Sequence, residues 1–144
     1  MKASLILINK IKEFESCRLV AYQDDAGVWT IGYGSTINVR RGMKITQQEA
    51  ERRLEFDLET AAIGVRGLKL NLTQGQFDAL VDFTYNLGIG KLKSSTLLKK
   101  IKAGAPTGQI QAEFKRWVYA GKKKLAGLVT RREWEAKRWA EKCM

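Results

Sequence analysis

The stretch Glu15-Ser-Cys-Arg-Leu-Val-Ala-Tyr-Gln-Asp24-Asp-Ala-Gly27-Val-Trp-Thr30-Ile-Gly-Tyr-Gly34 predicts a β-hairpin directly after a helix. Strand-forming residues lie on both sides of Asp24-Asp-Ala-Gly27, a typical turn sequence because Asp and Gly favour tight turns. We therefore expect strands over 18–23 and 28–34, and a third short strand over 36–40.

The rest of the chain has helical spacing. Leu7, Ile11 and Phe14 are four and three residues apart, which predicts a helix over 4–15. Two Thr-x-x-Glu/Gln capping boxes predict helix starts at Thr46 and Thr73. Further helices are expected after Ser95, around Ile110–Trp117 and over 125–142. The pattern predicts an α+β fold with a small N-terminal sheet lobe, a larger helical C-terminal lobe and an active-site cleft between them.

Length and composition predict one domain over 1–144. Within it, residues 1–60 would hold the first helix, the sheet and the start of a linking helix, and residues 61–144 would form a basic helical lobe. Hydrophobic residues make up 44% of the chain, which is enough for a core. Since no apolar run approaches the roughly 20 residues of a membrane span, we expect no stable membrane insertion and no signal peptide in this chain.

Histidine is absent and there are only two cysteines. These counts exclude Ser-His-Asp and Cys-His catalysis, and they argue against a zinc site. We expect no metal and no other cofactor. Cys17 is expected to be a packed free thiol, although a bond to Cys143 that regulates activity is a possible alternative.

The charge is unevenly distributed. Residues 1–60 carry nine Lys/Arg and nine Asp/Glu, whereas residues 61–144 carry seventeen and six, which accounts for the net charge of +11. Such a surface is either simply well solvated or attracts a polyanion such as nucleic acid, anionic lipid or a cell-wall polymer. There is no recognised nucleic-acid motif or Gly-rich phosphate loop, so nucleic acid is not an expected partner.

Three polar residues in the opening stretch are candidates for catalysis: Glu15, Asp24 and Thr30. Two carboxyls, one donating a proton and one assisting water, are what hydrolysis of a sugar linkage needs. Strand alternation places the large apolar residues next to Thr30 on the core face, so Thr30 should face solvent or a cleft. Burial near the apolar edge of its helix would keep Glu15 protonated, whereas Arg18 would favour its ionised form.

Taken singly, each of the three also has an ordinary structural explanation. Glu15 could be a solvated helix charge, Asp24 a turn residue and Thr30 a strand residue. Gly32 and Gly34 weaken a strand unless something approaches closely, and a sugar ring is one candidate.

Taken together, these residues resemble a known family. The spacing of Glu15, Asp24 and Thr30, followed by Ile-Gly-x-Gly34, is similar to that of the phage lysozymes (endolysins) of the T-even type, glycoside hydrolase family 24. Further matches follow in order along the chain: Phe83-Thr-Tyr85-Asn86-Leu-Gly88, Ser95-Thr-Leu-Leu98, Arg116-Trp117-x-Tyr119-Ala-Gly121 and Gly127-Leu128-x-x-Arg131-Arg132. The resemblance covers nearly the whole chain, except that Ser35 stands where many relatives have His.

The resemblance implies a lysozyme-like fold and a muramidase. The substrate would be bacterial peptidoglycan, cut at the β-1,4 bond between N-acetylmuramic acid and N-acetylglucosamine to lyse the host cell. Glu15 would be the general acid, Asp24 the base or charge stabiliser, and Thr30 the residue that positions water. Substrate-binding positions carried over from the family are Thr36, Tyr85, Ser95 and Gln111. The enzyme would be a monomer that stays in the host cytoplasm until its release to the periplasm and cell wall.

Two alternatives stay open at this point. A lytic transglycosylase also uses one Glu but needs no second carboxylate, and it leaves 1,6-anhydro product ends. A cationic membrane- or polyanion-binding protein that acts without catalysis would rest on the charge of residues 61–144 alone.

Overall fold

The structure, a computed structural model, describes residues 1–142 and divides into two compact units. One unit is Leu5–Thr60. The other consists of Met1–Ser4 together with the chain from Ala61 onward.

The Leu5–Thr60 unit combines helices with a two-stranded antiparallel sheet. Its elements are α1 (Leu5–Glu15), β1 (Arg18–Gln23), β2 (Trp29–Gly32) and the first part of α2 (Gln47–Arg66). Tyr22 pairs with Thr30 across the hairpin, and the Gly27 N–H donates to the Asp24 carbonyl at 2.9 Å to close the turn. The α1 helix, β1 and the hairpin turn are confirmed, while β2 is shorter than predicted.

The predicted third strand over 36–40 is wrong. Asn38 and Gly42 have φ values of +55° and +84°, which are incompatible with an extended strand. The free side of β1 is instead bonded by the segment just before α2. There the Ala21 N–H donates to the Met43 carbonyl at 2.9 Å, and the Ile45 N–H donates to the Leu19 carbonyl at 2.9 Å.

The helical unit contains five further helices and a small hairpin within the described residues: α3 (Gln74–Leu87), α4 (Ile89–Ser94), α5 (Thr96–Lys102), α6 (Thr107–Phe114), β3 (Tyr119–Ala120), β4 (Lys123–Lys124) and α7 (Ala126–Ala140). The capping box at Thr73 is present, and the Ser95 hydroxyl accepts from the Leu98 N–H at 3.0 Å to cap α5. The α+β prediction is therefore confirmed.

Two elements of this unit were not expected from the sequence. Gly88, with φ +96°, ends α3 as predicted, but the chain resumes a helix at once as α4. The β3–β4 hairpin pairs Tyr119 with Lys124, although two-residue strands have no recognisable alternation.

The interface between α3 and α7 contains buried ion pairs as well as apolar side chains. Arg131 binds Asp82 at 2.9 Å and Arg138 binds Asp78 at 2.8 Å, with both carboxylates fully buried. Phe83 packs edge-on against Phe114 and Trp117.

Within residues 1–142, no helix has the length and apolar character that crossing a bilayer requires.

Candidate active site

Glu15 is the last residue of α1. The helix ends there because Ser16 takes φ +53°, while its N–H still bonds the Lys12 carbonyl at 3.1 Å. This left-handed residue turns the chain directly into β1. The Glu15 side chain is half-buried at this corner.

The Glu15 carboxylate lies against Gly34. Ile31 and Ser35 exchange two backbone hydrogen bonds of 2.9 Å, which close the tight turn that contains Gly34 at φ +87°. A Cβ placed on Gly34 would lie 2.5 Å from Oε2 of Glu15. The close approach expected at this glycine is therefore made by a protein carboxylate.

Gly32 has a different close neighbour. A Cβ at this position would lie 3.4 Å from the Cβ of Ala50 on α2, so Gly32 allows the hairpin to pack closely on that helix. The closest approach to Gly32 is thus also made by the protein itself.

Asp24 is held by the turn that it begins. Its Oδ1 accepts hydrogen bonds from the backbone N–H of Ala26 at 2.9 Å and of Val28 at 2.8 Å. Asp24 is exposed. The structural reading of Asp24 as a turn residue is confirmed, and the two bonds fix the direction in which the carboxylate points.

Thr30 is buried, with 5% of its surface exposed, so of the two surroundings expected for it, solvent or a cleft, open solvent is excluded. Its hydroxyl donates to the Val28 carbonyl in the same strand at 2.9 Å. Because the proton is used there, the Oγ1 lone pairs are directed to act as acceptors. Strand alternation alone does not reveal this local bond.

Tyr22 connects the two carboxylates. Burial raises the pKa of its phenol, the charges of Glu15 and Asp24 raise it further, and Arg18 opposes them. The Arg18 guanidinium lies 4.0 Å from the Tyr22 ring centre. Glu15 and Asp24 therefore both lie close enough to the Tyr22 phenol for their charges to influence its ionisation.

Cys17, two residues after Glu15, is a free thiol that is partly exposed. Its Sγ donates to Oε1 of Gln47 at 3.5 Å. Cys143, the other cysteine of the hypothesised regulatory bond, lies outside the described residues, so that bond remains a hypothesis.

The four positions expected to bind substrate differ in their surroundings. Thr36 is exposed directly after the Gly34 turn, and Tyr85 is half-buried with the Arg131 guanidinium 6.0 Å from its ring centre. Ser95 is 3% exposed and its hydroxyl also donates to the Leu92 carbonyl at 2.7 Å. Gln111 donates to the Ala136 carbonyl at 2.9 Å, joining α6 to α7. The contacts of Ser95 and Gln111 are those of structural residues.

Comparisons with known proteins identify the family of this chain. Residues 12–135 match the phage lysozyme family. The endolysin of Acyrthosiphon pisum secondary endosymbiont phage 1 is 43% identical over 130 residues, which are 87% of this chain and 88% of that protein. The endolysin of Bacillus phage PZA is 43% identical over 94% of this chain, but the chain spans only about half (54%) of that relative's length.

Solved structures give the same result. The muramidase domain of SpmX from Asticaccaulis excentricus is 34% identical, with a TM-score of 0.88 over 98% of this chain and 99% of that one. The endolysin from Escherichia coli O157:H7 phage FAHEc1 is 38% identical, with a TM-score of 0.85 over 98% of this chain and 94% of that one. The lysozyme-like fold is confirmed, and the chain belongs to the phage lysozyme family of glycoside hydrolases.

Proposed function

We propose that this protein is a muramidase that hydrolyses the β-1,4 bond between N-acetylmuramic acid and N-acetylglucosamine in peptidoglycan. Glu15 acts as general acid and gives its proton to the glycosidic oxygen as the bond to the anomeric carbon breaks. The observation that best supports this proposal is that the Glu15 carboxylate lies against Gly34, in the turn that follows the hairpin carrying Asp24 and Thr30.

Asp24 and Thr30 prepare the attacking water in this proposal. Two backbone N–H groups hold Oδ1 of Asp24, which leaves Oδ2 to accept one proton of the water. Thr30, whose own proton is bound to the Val28 carbonyl, accepts the other. With both protons engaged, the water oxygen presents a lone pair to the anomeric carbon. Asp24 takes up the released proton, and direct attack inverts that carbon.

Sugar contacts are proposed for Thr36, which is exposed directly after the Gly34 turn, and for Tyr85, whose ring can stack on a sugar face. Ser95 and Gln111 are not included, because their described hydrogen bonds support a structural role.

The order of the motifs also supports assignment to the T-even type, glycoside hydrolase family 24. By analogy with phage endolysins, the enzyme would act as a monomer, accumulate in the host cytoplasm and lyse the host after release to the wall.

Analysis of product ends tests this function. Purified peptidoglycan digested by the protein should release N-acetylmuramic acid at new reducing ends, initially as the inverted anomer. Products with 1,6-anhydro ends would instead identify a transglycosylase. Killing of cells without any glycan cleavage would identify the non-catalytic cationic binding protein.

A further inference from the structure

The turn that holds Gly34 against Glu15 is tied to helix α2 by Arg53. One guanidinium nitrogen, Nη1, donates to the Ser35 hydroxyl at 3.0 Å and to the Ile37 carbonyl at 2.9 Å. Ser35 closes the turn through its backbone bonds to Ile31. A single side chain on a regular helix therefore bonds the loop on both sides of Thr36.

Asp57, one helical turn after Arg53, completes this connection. The Ser35 hydroxyl accepts from Arg53 and donates to the Asp57 carboxylate. Burial raises the pKa of Asp57, while the Arg53 charge and the Ser35 hydrogen bond act in the opposite direction. Ser35 is itself 3% exposed, so its hydroxyl is shielded from water, whereas Arg53 and Asp57 are partly exposed.

This network bears on Glu15 through Gly34. The Glu15 carboxylate occupies the space that a side chain at residue 34 would need. A displacement of the turn therefore moves that carboxylate or opens a gap beside it. Ser35 is the residue that follows Gly34, and α2 is the rigid element to which Ser35 is bonded. Errors of about 1 Å in such groups can reduce turnover about 100-fold.

We propose that Arg53 is a positioning residue that holds the Gly34 turn in the place that orients the Glu15 carboxyl for proton donation. This inference rests on the proposed muramidase function. It assigns to α2 a role in turnover that lies outside the three residues expected to carry the chemistry. Arg53 does not touch the reacting atoms and acts only through Ser35, Ile37 and Gly34.

The test compares Arg53→Met with Arg52→Met on solubilised glycan strands. Arg52 is exposed and adjacent on the same helix, so its variant reproduces the loss of one charge. Arg53→Met should lower kcat about 10- to 100-fold, because an unfixed turn leaves Glu15 in unproductive positions. Its KM should rise by a smaller factor than kcat falls, because the same two bonds also hold Thr36, one of the proposed sugar contacts. Arg52→Met should keep kcat within about 2-fold of wild type.

Two further variants separate positioning from folding. Arg53→Lys keeps a charged donor that can reach the loop and should restore at least half of the lost kcat on a logarithmic scale. Ser35→Ala removes one acceptor and should lower kcat less than Arg53→Met does. Thermal unfolding followed by circular dichroism gives the assay temperature, which is set well below the lowest Tm. If Arg53→Met does not fold, Arg53→Lys and Ser35→Ala decide the question.

The possible outcomes distinguish this inference from the proposed function. If wild type cleaves glycan and Glu15→Gln does not, but Arg53→Met has the kcat of Arg52→Met, only the positioning role is overturned. It is equally overturned if Arg53→Met raises KM alone, or if folded Arg53→Lys is no more active than Arg53→Met. Should Arg53→Met not fold, wild-type kcat in Ser35→Ala would overturn it. Failure of wild type itself to cleave glycan would overturn both.

Discussion

Gly34 provides the space that the Glu15 carboxylate occupies, since a Cβ at residue 34 would lie 2.5 Å from Oε2. A glycine in the hairpin and a carboxyl at a helix end are thus fixed relative to each other. The glycine also has φ +87°, so two separate constraints exclude a side chain at this position.

Gly34→Ala should remove most of the activity, and Gly42→Ala should not. Both glycines have strongly positive φ, so each alanine should lower the free energy of unfolding by about 1–2 kcal/mol. Only residue 34 has a carboxylate in the path of the methyl group, whereas a Cβ at residue 42 meets nothing within 4 Å. Initial rates on peptidoglycan, measured below both Tm values, check this. Equal rates for the two variants would show that the contact has no role in turnover.

Asp24→Asn should separate the two roles of this residue. The asparagine oxygen can still accept from Ala26 and Val28, so the turn should survive, but the amide nitrogen cannot accept a proton from water. We expect a Tm close to wild type and a rate reduced about 100-fold or more. Asp25→Asn, at the neighbouring turn residue, is the matched control. A fully active Asp24→Asn would mean that Asp24 serves the turn alone.

Thr30→Val and Thr30→Ser test the acceptor that we assign to Thr30. Valine keeps the shape but has no oxygen, whereas serine preserves the bond to the Val28 carbonyl, which in both variants still accepts from the Asp24 N–H. Turnover should fall about 10- to 100-fold for valine and stay within about 5-fold for serine. Kinetics on solubilised glycan, with folding checked by circular dichroism, provide the measurement. Similar kcat values for the two variants would rule out the water-holding role.

The buried Glu135 should make the stability of the helical unit depend on pH. Burial raises the pKa of Glu135 well above 4.5, and the neighbouring Asp82 adds to the effect. Arg132 pairs with Glu135, since its Nη2 donates to Oε2 at 2.9 Å and its charge lowers this pKa, but burial has the larger effect. Burial also disfavours the Asp82 anion, but Arg131 and the proton shared by Glu135 lower the pKa of Asp82 overall.

The sign follows from proton binding. Above pH 4.5 the unfolded chain has released the Glu135 proton while the folded protein still holds it, so stability falls as pH rises toward the folded pKa. Asp82 affects stability with the opposite sign, because its pKa is lowered in the folded protein. The stabilisation that it contributes is fully present above pH 3.8. Glu135→Gln, which can keep a donor toward Asp82, should flatten the fall in stability that begins above pH 4.5. Exposed Glu133→Gln should keep the wild-type slope in urea unfolding. An unchanged slope in Glu135→Gln would refute this assignment.

Much of the fold could be predicted because local signals decided it. The capping residues Thr46, Thr73 and Ser95 each accept the expected backbone N–H, and the turn at Asp24 forms as expected. The segment 36–40 was misread because its composition permits a strand, whereas Asn38 takes a φ of +55°, which an extended strand does not allow. Helix α4 was missed because Gly88 and Gly90 indicate only where a helix stops.

Candidates for the site could be named from the sequence, but their geometry could not be predicted. Spacing singled out Glu15 and Asp24 as catalytic candidates. No sequence pattern shows that Glu15 contacts Gly34, or that both carboxylates raise the pKa of Tyr22. The Thr30 hydroxyl is oriented by its hydrogen bond to the Val28 carbonyl, and strand alternation does not predict such a bond. Similarly, Arg53 reads in the sequence as one more charge on an amphipathic helix.

The most direct test of the account is the rate of glycan cleavage in purified peptidoglycan by Glu15→Gln, with Glu13→Gln as matched control. Glu13 lies on the same helix, is exposed, and pairs with Lys10 at 3.0 Å. Loss of a general acid should reduce the release of reducing ends about 100- to 10,000-fold without a large change in Tm. Glu13→Gln should cleave like wild type. Wild-type cleavage by a folded Glu15→Gln would contradict the account.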